Sequence, residues 1–487
     1  MLTLPGVFQD HMMLQRNKPV TVWGTANPNG FVVVSIQGKH SSARVDTDGN
    51  FEVVLPSLQP SLDETLVISD GKTKYVFRDV AIGDVWLAGG QSNMEYLMRY
   101  DAEREHEAGN LPDPIPEIRY YEAPKECYPG ALRDRDFHEY GIWRILDRKN
   151  LDWFSAVSYY FLRKVYAETG VPQGVVSCDW GGSRACCWIP EETLLESGGS
   201  VWLEEYREGL GSIPDLDVAV DEWKHNMVAT AIHPFDDPVM YPGRTREEQL
   251  HEMEVAPYVP QPLLPVDPWR PCGLYHTMLE PLMPFSFAGI LYYQGESDAQ
   301  HAECYAGILT GLIQKWRTDF RQDLPFLMVQ LAPFGAWYQE TGERYPEIRR
   351  AQQNVADTVP GVYLASNGDA GMRWDIHPKH KRPVGERLAL LTLQQEAPRA
   401  TGCNWATSTT FEISFVHADG LHWSSDDRSC LAVTPQPEET RLAAGCLQFQ
   451  WKKPPEHVQV AFAQTSYYEI NLYNGAGIPA LPFAFEC

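Results

Sequence analysis

The chain has 487 residues, with 65 acidic side chains against 40 basic ones and a formal net charge of −25. Such acidity repels phosphate backbones and anionic lipid head groups, so neither nucleic acid nor a membrane is an expected partner, and an anionic ligand would need a local basic pocket. With 44% hydrophobic and 22% charged residues the composition is that of a chain that folds, and its length predicts two or three domains.

Residues 1 to about 80 read as β structure. Alternating segments at Val20–Trp23, Phe31–Gln37 and Phe51–Leu55 are separated by the turn signals Asn27-Pro28-Asn29-Gly30 and Asp46-Thr47-Asp48-Gly49-Asn50, the pattern of a small β-sandwich. Near Ala81 the pattern changes. Val85-Trp86-Leu87-Ala88 is an apolar run suited to a buried parallel strand, and further strands are expected at Gly174–Cys178, Gly289–Tyr293, Phe326–Gln330 and Gly361–Ala365. Between them Phe154–Thr169, Ala302–Phe320 and Tyr345–Thr358 carry apolar residues at helical spacing. Strands alternating with helices predict a parallel α/β sheet covered on both faces, here over residues 81–400. Two stretches, near 99–150 and 192–272, are rich in charge and proline, the latter including Pro257-Tyr258-Val259-Pro260-Gln261-Pro262, and read as loops or insertions over the sheet. From 401 to 487 β-like segments return at Thr410–Val416, Cys446–Trp451 and Val458–Phe462.

No run of about 18 apolar residues crosses a bilayer, and Asp10 and His11 interrupt any leader-like stretch, so a cytoplasmic chain is expected, or a secreted or periplasmic one if a leader has been removed. The ten cysteines have neither metal nor disulfide-framework spacing and read mostly as small core residues. The 15 Trp and 23 Tyr belong mostly to cores, but rings that stay exposed make stacking platforms for sugars.

Four short segments carry candidate chemistry, three of them directly after expected strands, where open α/β sheets bind ligands. In Gly89-Gly90-Gln91-Ser92-Asn93-Met94, Ser92 is either a helix N-cap or a nucleophile presented on a tight turn. In Asp179-Trp180-Gly181-Gly182-Ser183-Arg184, paired glycines let a backbone N–H approach a ligand, or form a plain strand-to-helix turn. In Tyr293-Gln294-Gly295-Glu296-Ser297-Asp298, Gln294 has an amide donor and Glu296 a carboxylate, unless the loop merely caps the next helix. In Trp374-Asp375-Ile376-His377-Pro378, Asp375 can orient the His377 imidazole for proton transfer. His380 raises a metal site, but one carboxylate and two histidines fall short of a zinc ligand set, so no metal is expected.

Taken together, these blocks resemble those of the sialate O-acetylesterases within the SGNH hydrolase superfamily. Val85-Trp86-Leu87-Ala88-Gly89-Gly90-Gln91-Ser92-Asn93-Met94 is similar to the family's nucleophile block, Trp180-Gly181-Gly182-Ser183 to its second, Tyr293-Gln294-Gly295-Glu296-Ser297 to its third and Asp375-Ile376-His377-Pro378 to its last. Leu4–Arg16 resembles the family's opening, and Asn471-Leu472-Tyr473-Asn474 with Gly477–Phe483 its close. The resemblance implies a three-layer α/β/α flavodoxin-like sheet over residues 81–400, with an N-terminal β-sandwich at 1–80 and a C-terminal β segment at 401–487. It implies a serine esterase that removes O-acetyl groups from sialic acids, with Ser92 as nucleophile, His377 as base and Asp375 as its partner. The implied oxyanion hole uses the N–H groups of Ser92 and Gly182 and the side chain of Gln294; Glu296 is an alternative support for His377. Gln294 stands where the wider superfamily usually has Asn, and only Ile376 separates Asp375 from His377 where two residues are common.

No cofactor is needed for such chemistry. Arg184 and Arg373 are the candidate ligands for a sugar carboxylate. The competing readings are an acetyl esterase for neutral sugars such as acetylated xylose or xylan, a non-catalytic carbohydrate-binding protein, and a thiol hydrolase built on Cys186 or Cys187.

Overall fold

The computed structural model describes residues 1–131, 140–229, 244–255, 261–443 and 445–486. Parts of both proline- and charge-rich stretches, including Pro257-Tyr258-Val259-Pro260, lie outside them. The chain divides into two compact units: Met1–Pro242, Val259–Ser297 and Gly307–Phe326 form the first, and Gly243–Tyr258, Asp298–Ala306 and Leu327–Cys487 the second. The architecture is α/β with a mixed sheet.

The first unit is organised by a single 17-residue strand, Lys74–Gly90. Its first six residues alternate between exposed and half-buried, and from Val80 to Gly90 it is buried almost throughout. The change of pattern near Ala81 therefore falls inside one strand. The N-terminal half pairs with Ser61–Ser69 and Met13–Gln15, and the C-terminal half enters the parallel sheet. There the order is Gly289–Tyr293, Lys74–Gly90, Gln173–Asp179, Ile115–Glu122, Trp143–Leu146, parallel except for the last strand. A parallel strand buried on both faces needs the continuous apolar run seen at Val85–Ala88.

The helix after Trp153 begins at Ala156, where Ser155 Oγ accepts the Ser158 N–H at 3.2 Å, and ends at Gly170, whose φ of 65° gives a left-handed cap.

Both stretches expected to be loops hold regular structure. Ile115–Glu122 and Trp143–Leu146 are sheet strands, and Ser200–Gly211, Leu216–Ala229 and Arg246–Val255 are helices. The charges that disguise the Ile115–Glu122 strand are satisfied inside the fold. Arg119 is fully buried and donates to Asp79 Oδ1 at 2.8 Å and to the His11 carbonyl at 2.8 Å. A buried charge is tolerated when every donor is placed.

Phe326–Val329, all but its first residue in the second unit, and Val362–Ala365 are neighbouring strands, and the second unit has helices at Tyr345–Thr358 and Arg382–Thr392. The C-terminal portion forms a four-stranded antiparallel sheet (Arg399–Trp405, Thr410–Val416, Cys446–Gln450, Glu439–Ala443) and a three-stranded one (Leu431–Thr434, Gln459–Phe462, Phe483–Glu486). Phe411, Ile413, Leu447, Phe449, Phe462 and Phe483 share one core.

The reading of the cysteines needs one correction. Cys403 is disulfide-bonded, whereas Cys127, Cys178, Cys186, Cys187 and Cys272 are buried and outside any disulfide. Among the described residues no helix is long and apolar enough to cross a membrane.

Candidate functional site

Three adjacent parallel strands of the first unit end at one level. Gly90 is in register with Asp179 on one side and with Tyr293 on the other. The turns that follow, beginning at Gln91, Trp180 and Gln294, therefore leave the sheet together at its carboxyl edge, the place where α/β sheets bind ligands. Sequence spacing alone could not show that three of the four blocks share this edge.

The first turn requires glycine. Gly90 has φ 142°, and a Cβ there would lie 2.1 Å from the Tyr293 carbonyl oxygen. Ser92 opens the short helix Ser92–Glu95 and is 6% exposed. Its neighbour Gln91 ties the first turn to the third: Gln91 Oε1 accepts the Gly295 N–H at 3.2 Å and Gln294 Nε2 at 3.2 Å, and its Nε2 donates to Ser297 Oγ at 3.2 Å. Asn93 Nδ2 donates to Glu296 Oε1 at 2.6 Å. Glu296 thus braces the serine turn. Gln294 Nε2 also donates to the Ser183 carbonyl at 3.3 Å, so its amide links all three turns.

The second turn presents a donor. Gly181 gives its N–H to Glu95 Oε2 at 2.5 Å, and Ser183 gives its N–H to the Trp180 carbonyl at 3.1 Å. Between them Gly182, held at φ 72°, has no acceptor for its N–H among the described residues. Gly181 packs beside the serine, since a Cβ on it would sit 3.6 Å from Ser92 Cβ. A backbone N–H without an acceptor, one residue on from a glycine that packs on a serine, is a candidate oxyanion donor.

Behind this turn lies a charge cluster that sequence reading missed. Lys125 Nζ donates to the Asp179 carbonyl at 2.6 Å and lies 3.0 Å from Asp179 Oδ1, 3.2 Å from Glu95 Oε1 and 3.3 Å from Glu122 Oε1. All four side chains are buried. Burial alone would lower the Lys125 pKa, but the three carboxylates outweigh it and hold the ammonium charged. Burial pushes Glu95 up, Lys125 opposing, and it pushes Glu122 up to about 8, with the charge of Asp179 adding to the shift. The carboxylates of Glu95, Glu122 and Asp179 are close enough together to suggest a metal site, but the Lys125 ammonium already supplies the cation they surround. The signal in the sequence was Lys125 itself, a lone base in the Ala123–Cys127 loop after a strand that carries Glu122.

The second unit holds the remaining block. His377 is 2% exposed, and its pKa is driven well down by burial, with Lys381 and Lys379 lowering it further. A neutral imidazole is the form that can accept a proton. Asp375 Oδ1 accepts the His377 main-chain N–H at 2.8 Å and lies 3.9 Å from Nδ1, outside hydrogen-bonding range, while its Oδ2 pairs with Lys379 Nζ at 2.9 Å. Trp337 meets the His377 ring edge-on, centroids 5.4 Å apart.

Of the two arginines, Arg184 lies in the first unit, half-buried over the Trp202 ring at 4.7 Å, with no hydrogen-bond partner for its Nε among the described residues. Arg373 is exposed in the second unit, over the Tyr467 ring at 4.7 Å.

Comparison with known proteins finds carbohydrate acetylesterases. Residues 267–394 match the family described as carbohydrate esterase, sialic acid-specific acetylesterase. That stretch holds Gln294, Glu296, Asp375 and His377; Ser92 and Gly182 fall outside it. The mouse sialate O-acetylesterase is 26% identical over 95% of this chain and 85% of its own length, and the rat enzyme of the same name is 25% identical over 78% and 71%. The solved structure of a carbohydrate acetylesterase from Xanthomonas citri is similar over 100% of this chain and 99% of that one, at 25% identity and a TM-score of 0.74. The chain is similar to the sialate O-acetylesterases along most of its length. The resemblance seen in the four blocks is therefore carried by nearly the whole chain, and the relation to a sialate O-acetylesterase includes the β segments at both ends.

Proposed function

We propose that this protein is a serine esterase that hydrolyses O-acetyl esters of sialic acids. The observation that carries the reading is the turn after the Gln173–Asp179 strand, where Gly181 packs beside Ser92 and the next residue, Gly182, has no acceptor for its N–H among the described residues. The names of its relatives, acetylesterases of sialic acid and of carbohydrate, supply the substrate class. The fold is read as the three-layer SGNH-hydrolase arrangement, with the β-sandwich at 1–80 and the β segment at 401–487 as flanking parts.

In this reading Ser92 Oγ attacks the acetyl carbonyl carbon and passes its proton to His377, which Asp375 steadies. The negative oxygen of the tetrahedral intermediate is held by the N–H groups of Ser92 and Gly182. Gln294 joins as a third donor when it exchanges its long Ser183 contact for that oxygen. Collapse breaks the bond to the sugar oxygen, which leaves with the proton from His377. Water then attacks acetyl-Ser92, again giving a proton to His377, and acetate departs as Ser92 recovers its hydrogen. Each oxyanion donor is worth about 10²–10³ in rate. No cofactor enters these steps. Arg184, whose Nε has no partner among the described residues, is the better placed of the two arginines for a sialate carboxylate.

The thiol alternative loses ground, because Cys186 and Cys187 are fully buried. The decisive experiment is acetate release from 9-O-acetylated sialic acid and from acetylated xylose, by wild type and Ser92→Ala. Release from the sialic acid that vanishes in Ser92→Ala supports the reading. Release from xylose alone would keep the mechanism and change the sugar. Activity in Ser92→Ala within a few-fold of wild type would sink the mechanism, and no release by wild type would favour a binding protein.

A further inference from the structure

Trp269 lies directly on the donor turn and is not used by the steps above. Its indole Nε1 donates to the Gly181 carbonyl at 2.8 Å, its main-chain N–H to Asp267 Oδ1 at 2.9 Å, and its carbonyl accepts Cys187 Sγ at 3.4 Å. The pyrrole edge of the ring stands so near Gly182 that a Cβ there would come within 2.9 Å of Nε1. Despite three points of attachment, the residue remains 40% exposed. A tryptophan kept for packing buries its carbon surface and leaves its polar edge to find a partner. Here the polar edge is spent on the protein and carbon surface is left open, fixed in orientation next to Gly182.

We infer that Trp269 is the platform of a sugar subsite, stacking the C–H face of the pyranose whose acetyl group is cleaved; this rests on the esterase reading above. An aromatic ring with few rotatable bonds offers such a face at little cost in side-chain entropy. Its contact with the Gly181 carbonyl sets the sugar ring at a fixed distance from the Gly182 donor, so binding of the sugar and alignment of its ester are coupled through one residue.

The test compares Trp269→Ala and Trp269→Phe with wild type on acetylated sugar and on ethyl acetate, which has no sugar ring. The Phe variant retains a stacking ring but loses the N–H that holds Gly181. The expected result is that Trp269→Ala loses about tenfold more kcat/KM on the sugar ester than on ethyl acetate, chiefly through KM, and that Trp269→Phe recovers most of this discrimination. Equal losses on both esters in both variants would reduce Trp269 to a brace of the turn and overturn the inference. A second arm does not depend on turnover: sugar binding to Ser92→Ala is compared with binding to Ser92→Ala/Trp269→Ala by calorimetry, using 9-O-acetylated sialic acid and acetylated xylose. A tenfold weaker Kd for either sugar supports the platform, and unchanged Kd for both overturns it. If wild type releases no acetate, the esterase reading falls, and the calorimetric arm still decides Trp269.

Discussion

Glu95 Oε2 accepts the Gly181 N–H at 2.5 Å, while Oε1 of the same carboxylate lies 3.2 Å from the Lys125 ammonium. The turn carrying the candidate oxyanion donor is therefore hung from a buried ion pair. If that bond aims the Gly182 N–H, Glu95→Ala should lower kcat toward the ~10²–10³-fold cost of losing an oxyanion donor, with KM little changed. Glu95→Gln keeps an oxygen for Gly181 and should retain at least tenfold more activity than Glu95→Ala. Steady-state kinetics on acetylated sugar decide it, and equal activities would mean that the Gly181 bond does not set the rate.

Gly182 is constrained twice, by its φ of 72° and by Trp269. Gly182→Ala should lose most of its activity and about 1–2 kcal/mol of stability from the left-handed backbone. Gly198 is the control. It has φ 79° and nothing within 4 Å of the place a methyl group would take, so Gly198→Ala should lose similar stability yet keep its acetate release. Parallel urea melts and activity assays separate strain from site damage.

The raised pKa of Glu122 makes stability depend on pH. Its ordinary value is 4.5 and its folded one about 8, set by burial against the partial compensation of Lys125. Between those values the native state holds a proton that the unfolded chain releases, so stability falls as pH climbs through the window and levels off above it, at no more than about 1.4 kcal/mol per unit. Glu122→Gln cannot titrate and should show a shallower fall in urea melts from pH 5 to pH 8.5. An unaltered slope would place the titrating proton elsewhere.

His377 should remain neutral well below pH 6.5, because burial and then Lys381 and Lys379 disfavour its charged form. The acid limb of kcat/KM is expected below that value. Lys379→Met removes one of the two positive charges and should move the limb upward. A pH profile of the two proteins shows it, and a limb that stays fixed would mean that Lys379 does not act on the titrating base.

Much was legible in the sequence because local signals and tertiary environment agreed. The helices Ala302–Phe320 and Tyr345–Thr358 and the strand Gly289–Tyr293 begin and end where their apolar spacing says, since each buries the face that spacing defines. Glycine-bearing turns after strands marked Ser92, Gly182 and Gln294, because glycine is needed wherever backbone meets backbone as closely as Gly90 meets Tyr293. The Ile115–Glu122 strand was illegible, because Arg119 reads as surface until Asp79, distant in sequence, is seen beside it. For the same reason Lys125 and Glu95 looked like ordinary charges.

The sequence by itself determined which chemical groups the chain owns and where regular structure can start and stop, since propensity and periodicity act over a few neighbouring residues. Only the tertiary structure decided that Gly90, Asp179 and Tyr293 stand in one register, that Lys125 gathers three carboxylates, and that Trp269 spends its N–H on Gly181. Those relations follow from strand pairing and burial, which join residues far apart along the chain, and no local pattern encodes them.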